Sequence, residues 1–194
     1  MQPARLDLPV IPGTTTRQPL LLMQPSYLYK PIAAIQRTAP LLITVPGHGL
    51  PSEWPVWFED VVGWSELRSD KTRQPFRIAR TVDADTIELN GLNGLNQKAS
   101  GGVLVYQPPV DLTGCTGLLR ITSKDGAVLD LTTENGGLLI QGPGQLLVVI
   151  TPAQADVLAL ARSDYWLDLT MSDGSVMRWL QGDVVVGTGG AHGC

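Results

Sequence analysis

The sequence predicts an all-β protein: a β-sandwich interrupted by an inserted small β-barrel, with one short helix. Three observations carry this reading. Apolar segments too short for helices recur along the chain and are cut by turn-forming dipeptides, the signature of packed strands. The 21 glycines and 15 prolines exceed average usage without reaching low-complexity levels, so the excess belongs to turns. Finally, the stretch Pro109-Val110-Asp111-Leu112-Thr113-Gly114 opens a strand series that reads as the middle of a domain. If the front of that domain lies near Leu6 to Met23, the residues between are an insertion.

The elements follow in order. Residues 1–30 supply the first strands of the sandwich. Leu6 to Ile11 is extended, with Pro9 and Pro12 marking an edge because proline cannot donate to a central ladder. Thr14 to Met23 resumes after Gly13, and Gln24-Pro25-Ser26 turns the chain before Tyr27 to Ile35. Residues 31–107 form the barrel, with strands at Ile32–Ile35, Leu41–Val45, Val56–Val61, Phe76–Val82, Thr86–Leu89 and Val103–Tyr106. The polar stretch Trp64 to Gln74 reads as a loop. Turns fall at Pro46-Gly47-His48-Gly49, Asp83-Ala84-Asp85, Asn90-Gly91, Asn93-Gly94 and Ser100-Gly101-Gly102.

Residues 108–188 complete the sandwich through seven strands, at Gly117–Ser123, Ala127–Thr132, Leu138–Gln141, Gln145–Ile150, Tyr165–Met171, Val176–Gln181 and Asp183–Gly187. Asp125-Gly126, Asn135-Gly136-Gly137, Gly142-Pro143-Gly144 and Asp173-Gly174 mark turns between them. One helix crosses between sheets. Thr151 caps it, Pro152 takes its first position and Gln154 completes a capping box; Val157, Leu158 and Ala161 form its buried stripe, with Arg162 near its negative end. Residues 189–194 form a flexible tail.

Net charge is −4 with a pI near 5.0, which argues against a sequence-independent nucleic-acid partner. Residues 1–107 hold 10 basic and 9 acidic groups, whereas residues 108–194 hold 4 and 9. Arg68, Lys71, Arg73, Arg77 and Arg80 crowd one stretch. They are either a solvated surface or a basic patch that meets an acidic face on another subunit. Cys115 and Cys194 make an unlikely bridge and are expected as reduced thiols in a protein made in the cytosol. No export signal or membrane span is expected, since Leu20-Leu21-Leu22-Met23 is too short for either.

Candidate chemistry is sparse. His48 and His192 lack converging ligands and no metal site is expected; His48 reads as a turn histidine whose ring bonds backbone. Asp83 and Asp85 read as turn caps in preference to calcium ligands, Glu88 included in that reading. Hydrolase elbows and phosphate-binding loops are absent, and Glu53, Glu59, Asp60 and Glu66 read as surface acids. No catalytic residue and no cofactor is expected. Trp54, Trp57 and Trp64, with Phe58, are read as barrel core or an inter-domain seam, with a subunit contact and a glycan platform as the other readings. Trp166 and Trp179 are assigned to the sandwich core.

Two resemblances add to this. Asp111-Leu112-Thr113-Gly114, Gly117-Leu118-Leu119-Arg120-Ile121, the strand Asp164-Tyr165-Trp166-Leu167-Asp168-Leu169 and the run Gly174 to Val184 resemble the immunoglobulin-like domain of phage baseplate and tail proteins, of the kind found at the N-terminus of baseplate upper proteins. Asp7-Leu8-Pro9 and Gly13 are similar to that domain's first strands, though roughly a hundred residues intervene where a loop of about two to six is usual. Leu42 to Leu50, Val82 to Leu89 and Gly101-Gly102-Val103 resemble the small β-barrel flanking the first catalytic half-domain of ubiquitin-activating enzymes, a module that recurs in phage tail proteins.

The resemblances imply a discontinuous immunoglobulin-like β-sandwich with an inserted small β-barrel, in a non-enzymatic virion protein of the tail, baseplate or neck. Its partners would be other virion proteins and copies of itself, with no nucleic acid and no membrane, after assembly in the host cytoplasm. Contacts are expected through Leu6 to Thr16, Trp54, Trp57, the basic stretch Arg68 to Arg80 and the tail. The alternative is a receptor- or glycan-binding module at the tail tip, using Trp54 to Trp64.

Overall fold

The structure, a computed structural model, describes residues 2–72, 76–124, 126–160 and 162–187. The protein is all-β, with sixteen strands and one seven-residue helix among the described residues. It divides into two compact units: Met1–Leu22 with Asp111–Cys194, and Met23–Val110. No helix among the described residues is long and apolar enough to cross a membrane.

The first unit begins with β1 (Ala4–Arg5), β2 (Leu8–Val10) and β3 (Thr16–Leu21). The second unit follows with β4 (Leu28–Pro31), β5 (Ala34–Ile35), β6 (Leu41–Thr44), β7 (Glu53–Glu59), β8 (Arg77–Thr81), β9 (Thr86–Leu89) and β10 (Val103–Tyr106). The chain then returns to the first unit as β11 (Thr116–Ser123), β12 (Gly126–Thr132), β13 (Leu138–Gly142), β14 (Gln145–Ile150), α1 (Pro152–Leu158), β15 (Ser163–Thr170) and β16 (Val176–Val186).

In the first unit, one sheet runs β1-β16-β15-β11-β12, with β2 also on β16, and a second runs β13-β14-β3. Both short N-terminal strands lie parallel to β16, where Ala4 pairs Leu180 and Leu8 pairs Val184. β3 lies antiparallel to β14, with Leu20 opposite Leu146. The period of two sorts the side chains of β15: Ser163, Tyr165, Leu167 and Leu169 are buried, whereas Asp164 is exposed and Trp166, Asp168 and Thr170 are half-buried on the other face. The sheets meet at Gly117, where a Cβ would stand 2.9 Å from Leu138 Cδ1 and 3.1 Å from Leu169 Cδ2. Any larger residue there would have to push both leucine side chains aside.

Several expectations are corrected. The sites assigned to two strands, Val176–Gln181 and Asp183–Gly187, form one eleven-residue strand, because Gly182 stays in the ladder opposite Tyr165. A Cβ at Gly182 would lie 2.0 Å from the carbonyl oxygen of Leu6, so glycine here admits the N-terminal segment instead of ending the strand. The capping box of α1 forms, with Thr151 N donating to Gln154 Oε1 at 2.8 Å and Gln154 N to Thr151 Oγ1 at 3.4 Å. Its buried residues, however, are Ala155 and Leu158; Val157 is 50% exposed. The helix ends before Arg162, which is exposed beyond it, and Ala161 lies outside the described residues. Two turns of helix bury one three-residue step, and Val157 falls off that line.

The boundary between units also differs from the expected one. β4 pairs β10, Met23 bridges Pro109, and Gln24 N donates to Pro108 O at 2.8 Å, so residues 23–30 and 108–110 belong with the inserted segment. In this second unit the sheet order is β4-β10-β7-β8-β9-β6-β5. Its two end strands are consecutive in sequence, joined by Ile32 and Ala33. Ile32 N donates to Gly102 O at 3.1 Å and Ala33 N to Thr44 O at 2.9 Å, so one segment touches both ends of the order and the sheet curves as a half-barrel. Leu41, Ile43, Trp54, Phe58, Ile87 and Leu104 fill its interior. The stretch expected as a polar loop also contributes, because Trp64 and Leu67 are buried in the same core.

Candidate functional site

The tryptophans of the second unit are structural. Trp54 is fully buried and its indole Nε1 donates to Gln107 O at 2.7 Å; Phe58 is fully buried beside it in the core. Trp57 is 6% exposed on the other face of β7, edge-on to Tyr27 at 5.9 Å and to Phe76 at 5.7 Å. Trp64 is 6% exposed. Alternation along β7 sends Trp54 and Phe58 inward and Trp57 the opposite way, yet both faces are covered. A glycan platform built from these rings is therefore corrected: their faces do not meet solvent.

The basic stretch does not converge on one patch. Lys71 pairs with Glu59 at 3.3 Å and its ammonium stands 4.9 Å from the centroid of the Tyr29 ring. A hydrogen bond with Tyr29, then Glu59, holds the Lys71 amine above its usual range. Arg77 donates to the Glu66 carbonyl at 3.0 Å, and Arg80 pairs with Glu88 at 3.5 Å. Arg68 is exposed in the depression that also contains Lys71, whereas Arg77 and Arg80 line a separate one. Arg73 lies outside the described residues, as does the tail with His192 and Cys194. Cys115 is a free, buried thiol just ahead of β11.

The turn residues form a polar hub. His48 is 1% exposed; Leu50 N donates to its Nδ1 at 3.0 Å, which leaves Nε2 as the donor to Asp83 O at 2.8 Å. The Tyr106 hydroxyl donates to the His48 carbonyl. Asp85 N donates to Asp83 Oδ1, and Gly47 N to Asp85 Oδ1, each at 2.8 Å. The first of these bonds holds the Asp83 carboxyl below the usual range. Among the described residues no group of three or more His, Cys, Asp or Glu side chains is placed to hold a metal ion. Glu53 and Glu59 stand at opposite ends of β7, about 20 Å apart at the strand rise, beyond the roughly 5–10 Å of a glycosidase pair.

The arrangement with the most chemical variety is one the sequence reading assigned to core. Trp166 and Trp179 are only half-buried, and Trp166 lies on the outer face of β15. Arg178 stacks its guanidinium 5.1 Å from the Trp166 ring centroid while binding Asp168 through two hydrogen bonds of 2.8 and 2.9 Å. Trp166 pairs across the ladder with Gln181, and Asp164 with Asp183. Arg5 reaches Asp183 at 3.0 Å. A hydrogen bond shared with Asp164, then Arg5, holds the Asp183 carboxyl low. Arg5, Asp164, Trp166, Arg178, Gln181 and Asp183, with Thr122, line a shallow depression of about 370 Å³. Beneath them, Tyr165 donates to Leu6 O at 2.6 Å, and burial, then Asp7, pushes its phenol up to about 12.

The signal that places Trp166 outside was present in the sequence. Asp164, Trp166 and Asp168 share one parity, while Tyr165, Leu167 and Leu169 share the other, and two carboxylates do not face a core. For Trp179 the parity breaks, because the ladder shifts between Leu167 and Asp168 and inserts an extra residue opposite them. No protein-family model and no curated protein matches the chain.

Proposed function

We propose that this chain is a structural subunit of a bacteriophage virion, in the tail, baseplate or neck, which joins copies of itself and neighbouring virion proteins. The first unit is read as the immunoglobulin-like sandwich and the second as the small barrel. Support for the sandwich comes from strands on either side of the insertion pairing in both of its sheets. Support for the barrel comes from β4 and β5 standing at the two ends of one strand order. The work is assembly in the host cytoplasm, without catalysis, cofactor, nucleic acid or membrane.

One observation carries the adaptor reading. β13 pairs only with β14 among the described residues, so its other edge presents backbone donors and acceptors. Its sequence Leu138-Leu139-Ile140-Gln141-Gly142 contains no charge, and Leu139 and Ile140 are 41% and 39% exposed. Proteins that stay apart guard such edges with lysine, proline or a bulge; here the ladder shifts only after Ile140, so Leu138 to Ile140 keeps an uncharged apolar edge that suits strand-to-strand pairing between subunits. Sedimentation of the purified chain is expected to give discrete multimers. Leu139→Lys with Ile140→Lys should return it to a single copy with an unchanged circular dichroism spectrum. A chain that sediments as one copy at all concentrations, and is missing from purified particles, overturns the proposal.

A further inference from the structure

We infer that the depression around Trp166, on the outer face of β15 and β16, binds an uncharged saccharide. This does not rest on the assembly reading, because it concerns a different face of the first unit from the β13 edge.

Trp166 is the starting observation. The core of this sheet is complete without it, since Tyr165, Leu167 and Leu169 fill the inward positions of the same strand. With Arg178 stacked 5.1 Å from its centroid, the half-buried indole keeps part of its apolar ring surface in solvent beside polar groups, the combination that takes the C–H face of a sugar while neighbours bind its hydroxyls. Those neighbours are donors and acceptors in balance. Arg5 and Arg178 donate, Asp164 and Asp183 accept, and Gln181 and Thr122 do both.

Charge complementarity selects the class of ligand. Arg5 is matched by Asp183 and Arg178 by Asp168, so an added anion meets the Asp164 and Asp183 carboxylates and an added cation meets two guanidinium groups. An apolar segment would have to strip water from both ion pairs without replacing their hydrogen bonds. A hydroxyl-rich, uncharged ring gives each charged group a partner of either sense. The volume of about 370 Å³ is at the lower end of the roughly 300–1,000 Å³ of small-molecule sites, which fits a short stretch of sugar units. The floor is a hydrogen-bonded ladder, Trp166 to Gln181 and Asp164 to Asp183, so the backbone that carries these four residues is held in place before binding.

The test is a titration of the isotope-labelled full chain, followed by nitrogen–proton correlation spectra, with maltotriose, cellotriose, chitotriose and their phosphorylated or sulfated counterparts. Saturable shifts are expected at the Trp166 indole N–H and the Gln181 side-chain amide for at least one neutral member. The expected Kd is on the order of 1 mM, as befits a shallow site. Trp166→Ala should weaken binding by about tenfold or more, and Gln181→Ala by about threefold to tenfold through one lost hydrogen bond. If Trp166→Ala disturbs the fold, Gln181→Ala and Asp164→Asn carry the test. Absence of saturable shifts at these residues for every probe overturns the site. Tighter binding of a charged counterpart than of its neutral parent overturns the ligand class.

Discussion

The two units use tryptophan in opposite ways. In the second unit Trp54, Trp57 and Trp64 are all buried, at 0%, 6% and 6% exposure. In the first unit both tryptophans are half-buried, and the core is built from leucine, valine and isoleucine around Tyr165. The core of the second unit is mostly leucine, isoleucine and valine, to which Trp54, Phe58, Trp64 and Tyr106 add large rings, while Trp57 is covered on the opposite face of β7. The first unit builds its core almost wholly from aliphatic side chains and carries Trp166 on the outer face of its sheet. Residue type alone therefore says little about role; strand parity and what covers each face decide it.

The largest expected effect tests that contrast directly. Trp54→Ala removes a fully buried ring and orphans the Gln107 carbonyl, and should cost about 3–5 kcal/mol, enough to unfold the second unit. Trp166→Ala should cost about 1 kcal/mol, because it removes outer-face packing against Arg178 and leaves the core intact. Urea denaturation followed by hydrogen exchange separates the two. Equal losses would break the comparison, since Trp166 would then be acting as core.

A second test concerns the phenol under the outer face. Burial raises Tyr165 to about 12, so its contribution is fully present below pH 10, the ordinary tyrosine value, and is lost as pH rises through about 12. The shift corresponds to about 2–3 kcal/mol. Melting of the first unit should therefore fall steeply between about pH 10 and 12. Tyr165→Phe should flatten that limb and cost about 1 kcal/mol at neutral pH for the lost bond to Leu6 O. Unaltered alkaline melting of the first unit in the variant would mean that Tyr165 does not govern its alkaline limb.

Much of this was legible in the chain. Short apolar runs between turn dipeptides give strands such as Thr86–Leu89, Val103–Tyr106 and Gln145–Ile150 at the expected positions, and Thr151-Pro152-Ala153-Gln154 specifies its cap through local bonds alone. Local chemistry also foretold the backbone role of His48 and the Asp83 and Asp85 turns. What escaped depends on long-range pairing. Gly182 looks like a break until Leu6 is known to lie against it. Residues 23–30 look contiguous with the first strands until β4 pairs β10. Of the site, Arg5 and Asp183 are 178 residues apart and meet only because β1 runs beside β16.

The smallest expected effect separates charge pairs from backbone-held carboxylates. Arg120 binds Asp130 through hydrogen bonds of 2.8 and 2.6 Å and holds its carboxyl below the usual range. A depressed carboxylate contributes stability above its unfolded value near pH 4, and loses it as pH falls through the lower folded value. Both side chains are 40% exposed, so solvent screening keeps the contribution under about 1 kcal/mol. Asp130→Asn should therefore cost under about 1 kcal/mol at neutral pH, flatten part of the acid limb of the first unit, and lose its effect in high salt. In the second unit Asp83 is lowered first by the Asp85 backbone N–H, a contact that salt does not screen in the same way. Asp83→Asn should then shift acid melting of that unit equally at low and high salt. A salt response shared by both variants would mean that long-range charge, and not the backbone bond, governs Asp83.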